Sequence, residues 1–283
     1  MHSRRFISSS PRPLRVVMIL ATLAIVGTLL ILPLVTVVTE ALGRGASGWL
    51  ASVTHADMIS AVYLSLGITA FVVVANSVFG VGLAWLVTRH QFRGRAWILA
   101  ATELPLAASP VVSGLLVILL YGRNGLFGEW LAAIGVKIVF AWPAVALATL
   151  FVTLPYVAKE LVPFMEAQGS DEELAASVLG ASAFQTFVRI TMPKIKWGLV
   201  HGVLLASARS IGEFGAVSVV SGHIRGETNT VPLHVEVVYN EYDFVGAFAA
   251  ASVLSFFAVG ALGVKTLLER AGSRALKKGQ EQV

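Results

Sequence analysis

Arg209 and Glu213 are the only two formal charges in the stretch 198–222, which is otherwise apolar or small. An ionised side chain in hydrocarbon costs about 2.5–3.5 kcal/mol even on the mildest scale. Four residues apart, the two share one face of a helix and can neutralise each other. Arginine ahead of glutamate is the weaker order for that spacing, so further partners are expected. Glu103, the only acid in the charge-poor region 96–121, is a candidate neighbour. Two functions fit such a pair. It can line a polar path, with Arg209 attracting an oxyanion, or it can be a structural ion pair that locks helices together. Ser210, Gly212 and the other small residues around it permit close helix approach and expose backbone donors. The candidate path residues are therefore Arg209, Glu213, Glu103, Ser210 and Gly212.

What must position them is a set of membrane spans. The chain has 283 residues, of which 56% are hydrophobic and 13% charged, against about 25% charged in soluble domains. The runs 16–38, 58–88 and 244–264 carry no charge, and spanning the hydrocarbon takes roughly 20 apolar residues. Regions 96–121, 138–158 and 198–222 qualify with few charges, giving six expected spans. The sequence predicts an all-α polytopic membrane protein. Residues 1–15 form a cytoplasmic N-terminal segment, 16–268 the transmembrane domain and 269–283 a cytoplasmic tail. The first run is longer than a signal-peptide core and lacks a small-residue cleavage site, so it reads as an uncleaved span. With no cysteine, disulfides and thiolate metal sites are excluded.

The net charge of +5 needs no nucleic acid to explain it. With both termini inside, cytoplasmic segments collect Arg4, Arg5, Arg12 and Arg15, then Arg89, Arg93 and Arg95. They also collect Lys159, Arg189, Lys194 and Lys196, and finally Lys265, Arg270, Arg274, Lys277 and Lys278. Only Arg44, Arg123, Lys137 and Arg225 fall outside. That asymmetry sets the orientation by the positive-inside rule. Prolines 33, 105, 110, 143 and 155 punctuate the spans. Pro105 and Pro110, close to Glu103 and Ser109, mark a broken helix beside a polar path or a packed kink. Whether the polar segment 223–243 dips back into the membrane stays open.

The long cytoplasmic loop 159–197 has its own grammar. Ser170 to Glu173 reads as a capping box, with Glu173 reaching back to the serine. Leu174, Ala175, Val178 and Leu179 form an apolar face, and Gly180 ends this short helix. Ser182 to Gln185 is a second capping box. Phe184, Phe187 and Val188 follow on one face, and Pro193 stops the second helix. Composition alone would read the pair as interfacial helices lying on the bilayer.

Ala175, Ala176, Gly180, Ile190 and Pro193, at their spacing, resemble the E-A-A-x3-G-x9-I-x-L-P loop of ABC importer permeases, the segment that docks on the ATP-hydrolysing subunit. Leu174 stands where that motif has glutamate, so Ala175, Ala176 and Gly180 carry over and the acidic contact does not. The stretches 84–89, 109–114, 121–125, 160–163, 168–170, 208–222 and 224–228 are similar to the CysW family of sulfate/thiosulfate permease subunits, over residues about 58 to 250. The resemblance implies a MetI-like fold in a bacterial inner membrane and a second, CysT-like permease subunit. It also implies two copies of a CysA-like ATPase and an extracytoplasmic sulfate/thiosulfate-binding protein. No cofactor is expected on this chain, ATP and magnesium belonging to the ATPase. The molybdate permease is the rival within the class. An ion-coupled secondary anion transporter is the rival outside it, and would call for inverted repeats that the sequence does not display. No lysine follows a glycine, so there is no Walker A motif, and neither Gly-x-Ser-x-Gly nor His-Glu-x-x-His occurs. His201, near a span end, reads as a packed or interfacial residue.

Overall fold

The computed structural model describes residues 12–280, and no strand occurs among them. Arg4, Arg5 and residues 281–283 lie outside the described residues. The chain begins with α1 (Arg12–Val26), a π-helical stretch (Gly27–Ile31) and α2 (Leu32–Ala41), then α3 (Gly45–Val53) and the long α4 (Ala56–Arg89). After a tight turn come α5 (Arg95–Ala107), α6 (Pro110–Tyr121), the short α7 (Gly128–Ala133) and α8 (Trp142–Gln168). The loop region contributes α9 (Asp171–Val178), α10 (Ala183–Thr186) and a second π stretch (Phe187–Thr191). The C-terminal third is α11 (Met192–Ile211), α12 (Gly215–Ser221), α13 (Val231–Asn240) and α14 (Phe244–Gln280).

Four helical segments are each long and apolar enough to cross a membrane: 13–41, α4, α8 and 244–267. Two further crossings exist if each bent pair counts as one: α5 with α6, bent by 109°, and 183–211 with α12, bent by 52°. Both breaks have local causes. Pro110 occupies the first turn of α6, and the residue ahead of it, Ser109, is extended as a pre-proline residue should be. Gly212 and the linker to Gly215 interrupt the second pair. Pro143 does not kink a span: it sits in the first turn of α8, where its missing N–H costs nothing. Pro105 and Pro155 do lie inside helices.

The centre is a packed block of α4, α8 and α11. Val81 and Ala84 of α4, Val157 and Leu161 of α8, and Ile195 and Ala206 of α11 are buried together. Among the buried polar bonds that cross this block, Asn76 Nδ2 donates to Thr153 Oγ1 at 2.8 Å. Without water nearby, such a group must find its partner inside the protein. Small residues let the half-helices touch: a Cβ on Gly215 of α12 would lie 2.8 Å from the Pro110 side chain of α6. The apolar side chains of α1 and α2 are almost all exposed, the composition of a surface that faces hydrocarbon rather than water.

Candidate functional site

Arg209 and Glu213 meet as their spacing predicts, Nη1 to Oε2 at 2.7 Å. Arg209 lies in the last turn of α11 and Glu213 in the break before α12. Glu213 is 1% exposed and Arg209 30%, so the pair has a buried acid and a base that keeps an open side. The further partner expected for the glutamate is backbone: Oε1 accepts the Ala216 N–H at 2.9 Å. That N–H belongs to the first turn of α12 and has no acceptor within its own helix. Ser210 is buried and shares a hydrogen bond with Thr69 of α4, Oγ to Oγ1 at 3.1 Å. Gly212 caps the end of α11.

Glu103 does not join them. It is paired with Lys159 of α8 at 3.1 Å, and both are about half exposed. The break at Ser109 explains the difference. α5, with Glu103, packs along α8, whereas α6, beyond the bend, packs on α12. A straight span would have carried both contacts on one rod.

The loop helices form as the sequence indicates, with two corrections. Gly180 has φ +86° with open space around it, and its N–H reaches Ser177 O at 3.0 Å while Ala181 N–H reaches Ala176 O at 3.0 Å. This 6→1, 5→2 pattern is a Schellman termination, which favours glycine. The box at Ser182 is complete: Gln185 N–H donates to Ser182 Oγ, and Ser182 N–H to Gln185 Oε1. The box at Ser170 is absent, since Ser170 makes no side-chain cap bond. Its expected partner, Glu173, turns inward and is held by Arg89, with Nε to Oε2 at 2.6 Å and Nη2 to Oε1 at 3.1 Å. A bidentate, charge-assisted pair outcompetes a single serine cap. The second correction concerns Pro193. It does not stop the helix, which runs from α10 through the π stretch into α11. Met192 N–H bonds to Phe187 O, five residues back. The widened turn takes the chain past the proline, whose ring would clash with an α-helical carbonyl four residues earlier.

The faces of these helices are unequal. Leu174, Val178, Leu179 and Phe184 are strongly exposed. Ala175 and Gly180 are exposed too, Ala176 and Ile190 are partly buried, and Pro193 is exposed. Behind this apolar face, Lys194 ties Glu172 at 2.6 Å.

At the opposite end, sequence reading missed an ion cluster. Arg225 pairs with Asp57 at the start of α4, 3.1 Å away, and with Glu241. Its pKa is raised, above all by the hydrogen bond to Glu241. His234, in the first half of α13, is buried, and burial lowers its pKa. The 168-residue separation of Asp57 and Arg225 left no local signal for this cluster.

Comparison with known proteins adds four findings. Residues 76–273 match the family "Binding-protein-dependent transport system inner membrane component". The chain is 45% identical to the sulfate transport system permease protein CysW of Escherichia coli (strain K12) over 254 residues, 90% of this chain and 87% of the relative. It is 35% identical to the sulfate transport system permease protein CysT of the same strain, over 90% and 92% of the two chains. In fold it resembles a chain of a bacterial alginate ABC transporter, crystallised with an alginate pentasaccharide-bound periplasmic protein. The TM-score is 0.74 over 93% of this chain and 94% of that one, at 17% identity.

Proposed function

The chain belongs to the binding-protein-dependent transport system inner membrane components, and from that membership we propose that it is the CysW-type permease subunit of an ATP-driven sulfate/thiosulfate importer. The observation that carries the substrate is the 45% identity to a sulfate permease subunit across nine-tenths of the chain. Similarity to CysT as well supports a heterodimer of two related permease subunits in the inner membrane. The arginine and lysine asymmetry supports six spans with both termini cytoplasmic.

The geometry supports a division of labour. The exposed apolar residues Leu174, Val178, Leu179 and Phe184 form a docking face for a CysA-like ATPase, with Ala175, Ala176, Gly180, Ile190 and Pro193 shaping the two helices that present it. ATP and magnesium are held and used by that partner. ATP binding moves the ATPase dimer, the coupling helices move with it, and the packed block of α4, α8 and α11 transmits the displacement to the break at Gly212. There Arg209 presents positive charge on its open side, while Glu213 is occupied by the pair and by the Ala216 N–H. A divalent oxyanion crossing hydrocarbon needs compensating charge or aimed dipoles, and Arg209 with Ser210 is suited to that. Glu103 is removed from this role by its pairing with Lys159. An extracytoplasmic binding protein delivers the anion.

Reconstitution with candidate ATPase, second permease and binding protein tests the reading. Radiolabelled sulfate uptake that requires ATP and the binding protein is the expected result. Uptake driven by an ion gradient without the ATPase would favour a secondary transporter, and competition by molybdate but not thiosulfate would favour the rival oxyanion class.

A further inference from the structure

We infer that Glu173, Arg89 and Thr191 form a latch that fastens the coupling helices to α4, and that the latch is the positioning element through which ATPase motion enters the membrane domain. The inference rests on the coupling reading above and assigns it residues that the loop motif does not include.

Glu173 collects contacts from three separate segments. Arg89, the last residue of α4, grips both carboxylate oxygens at 2.6 and 3.1 Å. Thr191, at the end of the π stretch leading into α11, donates its hydroxyl to Oε1 at 2.8 Å. Arg89 also donates through Nη1 to the Met165 carbonyl at 3.3 Å, near the end of α8. One carboxylate and one guanidinium thus join α9, α4, α8 and the helix that becomes α11. The side chains are 15% and 10% exposed, so a docked ATPase meets the outer face of α9 and not the latch.

The chemistry suits a mechanical joint. A guanidinium gripping a carboxylate through two parallel bonds fixes direction as well as distance. A lysine or a single hydrogen bond would allow the pair to swivel. The other links between the loop helices and the membrane domain differ in kind. Lys194 to Glu172 joins a half-buried ammonium to an exposed carboxylate, and the Trp85–Phe187 edge contact at 6.2 Å is apolar and non-directional.

The rod beyond the joint reaches the Arg209–Glu213 ion pair. From Arg89 to Thr69 is twenty residues of continuous α4, about 30 Å at 1.5 Å per residue. Thr69 is hydrogen-bonded to Ser210, next to Arg209. A push on α9 therefore has a continuous route: latch, α4, Thr69, Ser210, and the break carrying Glu213. Spatial continuity is only a route, and a measured coupling is what makes it a mechanism.

The test uses the full complex in proteoliposomes, with wild type, Glu173→Gln, Arg89→Gln, Thr191→Val and the exchange Arg89→Glu with Glu173→Arg. Three quantities are read: ATPase co-purified with the permease, ATP hydrolysis stimulated by sulfate-loaded binding protein, and sulfate moved per ATP consumed. The latch predicts that the single glutamate and arginine variants assemble with the ATPase. It further predicts at least a tenfold fall in sulfate moved per ATP. Thr191→Val should fall less, and the exchange should recover part of the loss. Arg89→Lys, which keeps charge but not the fork, should behave like Arg89→Gln. Normal sulfate per ATP in the singles beside an active wild type would overturn the latch. So would losses that track lost assembly, or an arginine-to-lysine variant with full coupling. A wild-type complex that hydrolyses ATP without responding to sulfate would instead overturn the substrate reading. In that case sulfate-independent ATP hydrolysis by the assembled complex still judges the latch, since an unlatched permease no longer alters its ATPase and a latched one does.

Discussion

Arg209 neutralises a glutamate that is already committed elsewhere: Glu213 receives the arginine on Oε2 and the Ala216 N–H on Oε1. The acid is buried and the base is partly open, so the two residues are not equivalent. Arg209→Met strands a buried carboxylate, a change worth about 3–5 kcal/mol for fully buried pairs and less here because Arg209 keeps part of its surface. Glu213→Gln keeps an acceptor for the Ala216 N–H and should be the milder change for assembly. The double variant separates the two roles. If the arginine meets the anion, the double variant should assemble well and still transport at least tenfold below wild type. Uptake per assembled complex equal to wild type would leave the pair purely structural.

Gly180 offers a cleaner lesion. Its φ of +86° is costly for any residue with a Cβ, roughly 1–2 kcal/mol, and more awkward for a β-branched one. Nothing lies within 4 Å of the added Cβ, so strain rather than collision is the cause. Gly180→Val should insert and fold in the membrane yet lose stimulated ATP hydrolysis, while Gly180→Asn should retain most of it. Equal stimulation in wild type and the valine variant would count against docking through this turn.

The pattern of these residues shows what a sequence can carry. Local signals were readable. The i,i+4 pair, the Gly180 turn and the box at Ser182 depend on neighbours within a few residues, and all three are present. The apolar runs gave the helices. What could not be read depends on where a helix breaks or on contacts between distant segments. Glu103 is a candidate neighbour of Arg209 as the only acid in 96–121; Pro105 and Pro110 mark a break there, but not the 109° bend that leaves it beside Lys159. Glu173 looked like a capping residue because its true partner, Arg89, lies 84 residues earlier. Pro193 looked like a stop because a π turn has no compositional signature.

The orientation can be checked directly. A reporter fused after residue 230 should score extracytoplasmic and one fused at residue 175 cytoplasmic, because lysine and arginine concentrate on the side that holds α9 and α10. The absence of cysteine permits the same test without truncation. Single cysteines at Glu227 and Ser177, both exposed, should label from opposite sides of the membrane with an impermeant thiol reagent. Labelling of both from one side would contradict the six-span topology.

His234 gives a pH dependence with a defined sign. Its pKa is lowered from the ordinary 6.5, chiefly by burial in α13. Asp57 and Glu241 raise it, while Arg225 and His55 lower it. The folded protein therefore binds this proton more weakly than the unfolded chain does. Above a pH of about 6.5 neither form carries it, and stability is unaffected. As the pH falls below that value, the unfolded chain takes up the proton first, and stability declines until the folded-state pKa is passed. The decline from this one group is at most about 1.4 kcal/mol per pH unit. The thermal unfolding midpoint of the purified protein should thus drop more steeply as the pH falls below about 6.5 than it does for His234→Gln, which cannot titrate. The difference between the two curves isolates this residue from the other histidines. Parallel curves would mean that His234 is protonated as easily in the fold as out of it, and that α13 is not packed against the head of α4 as tightly as its burial indicates.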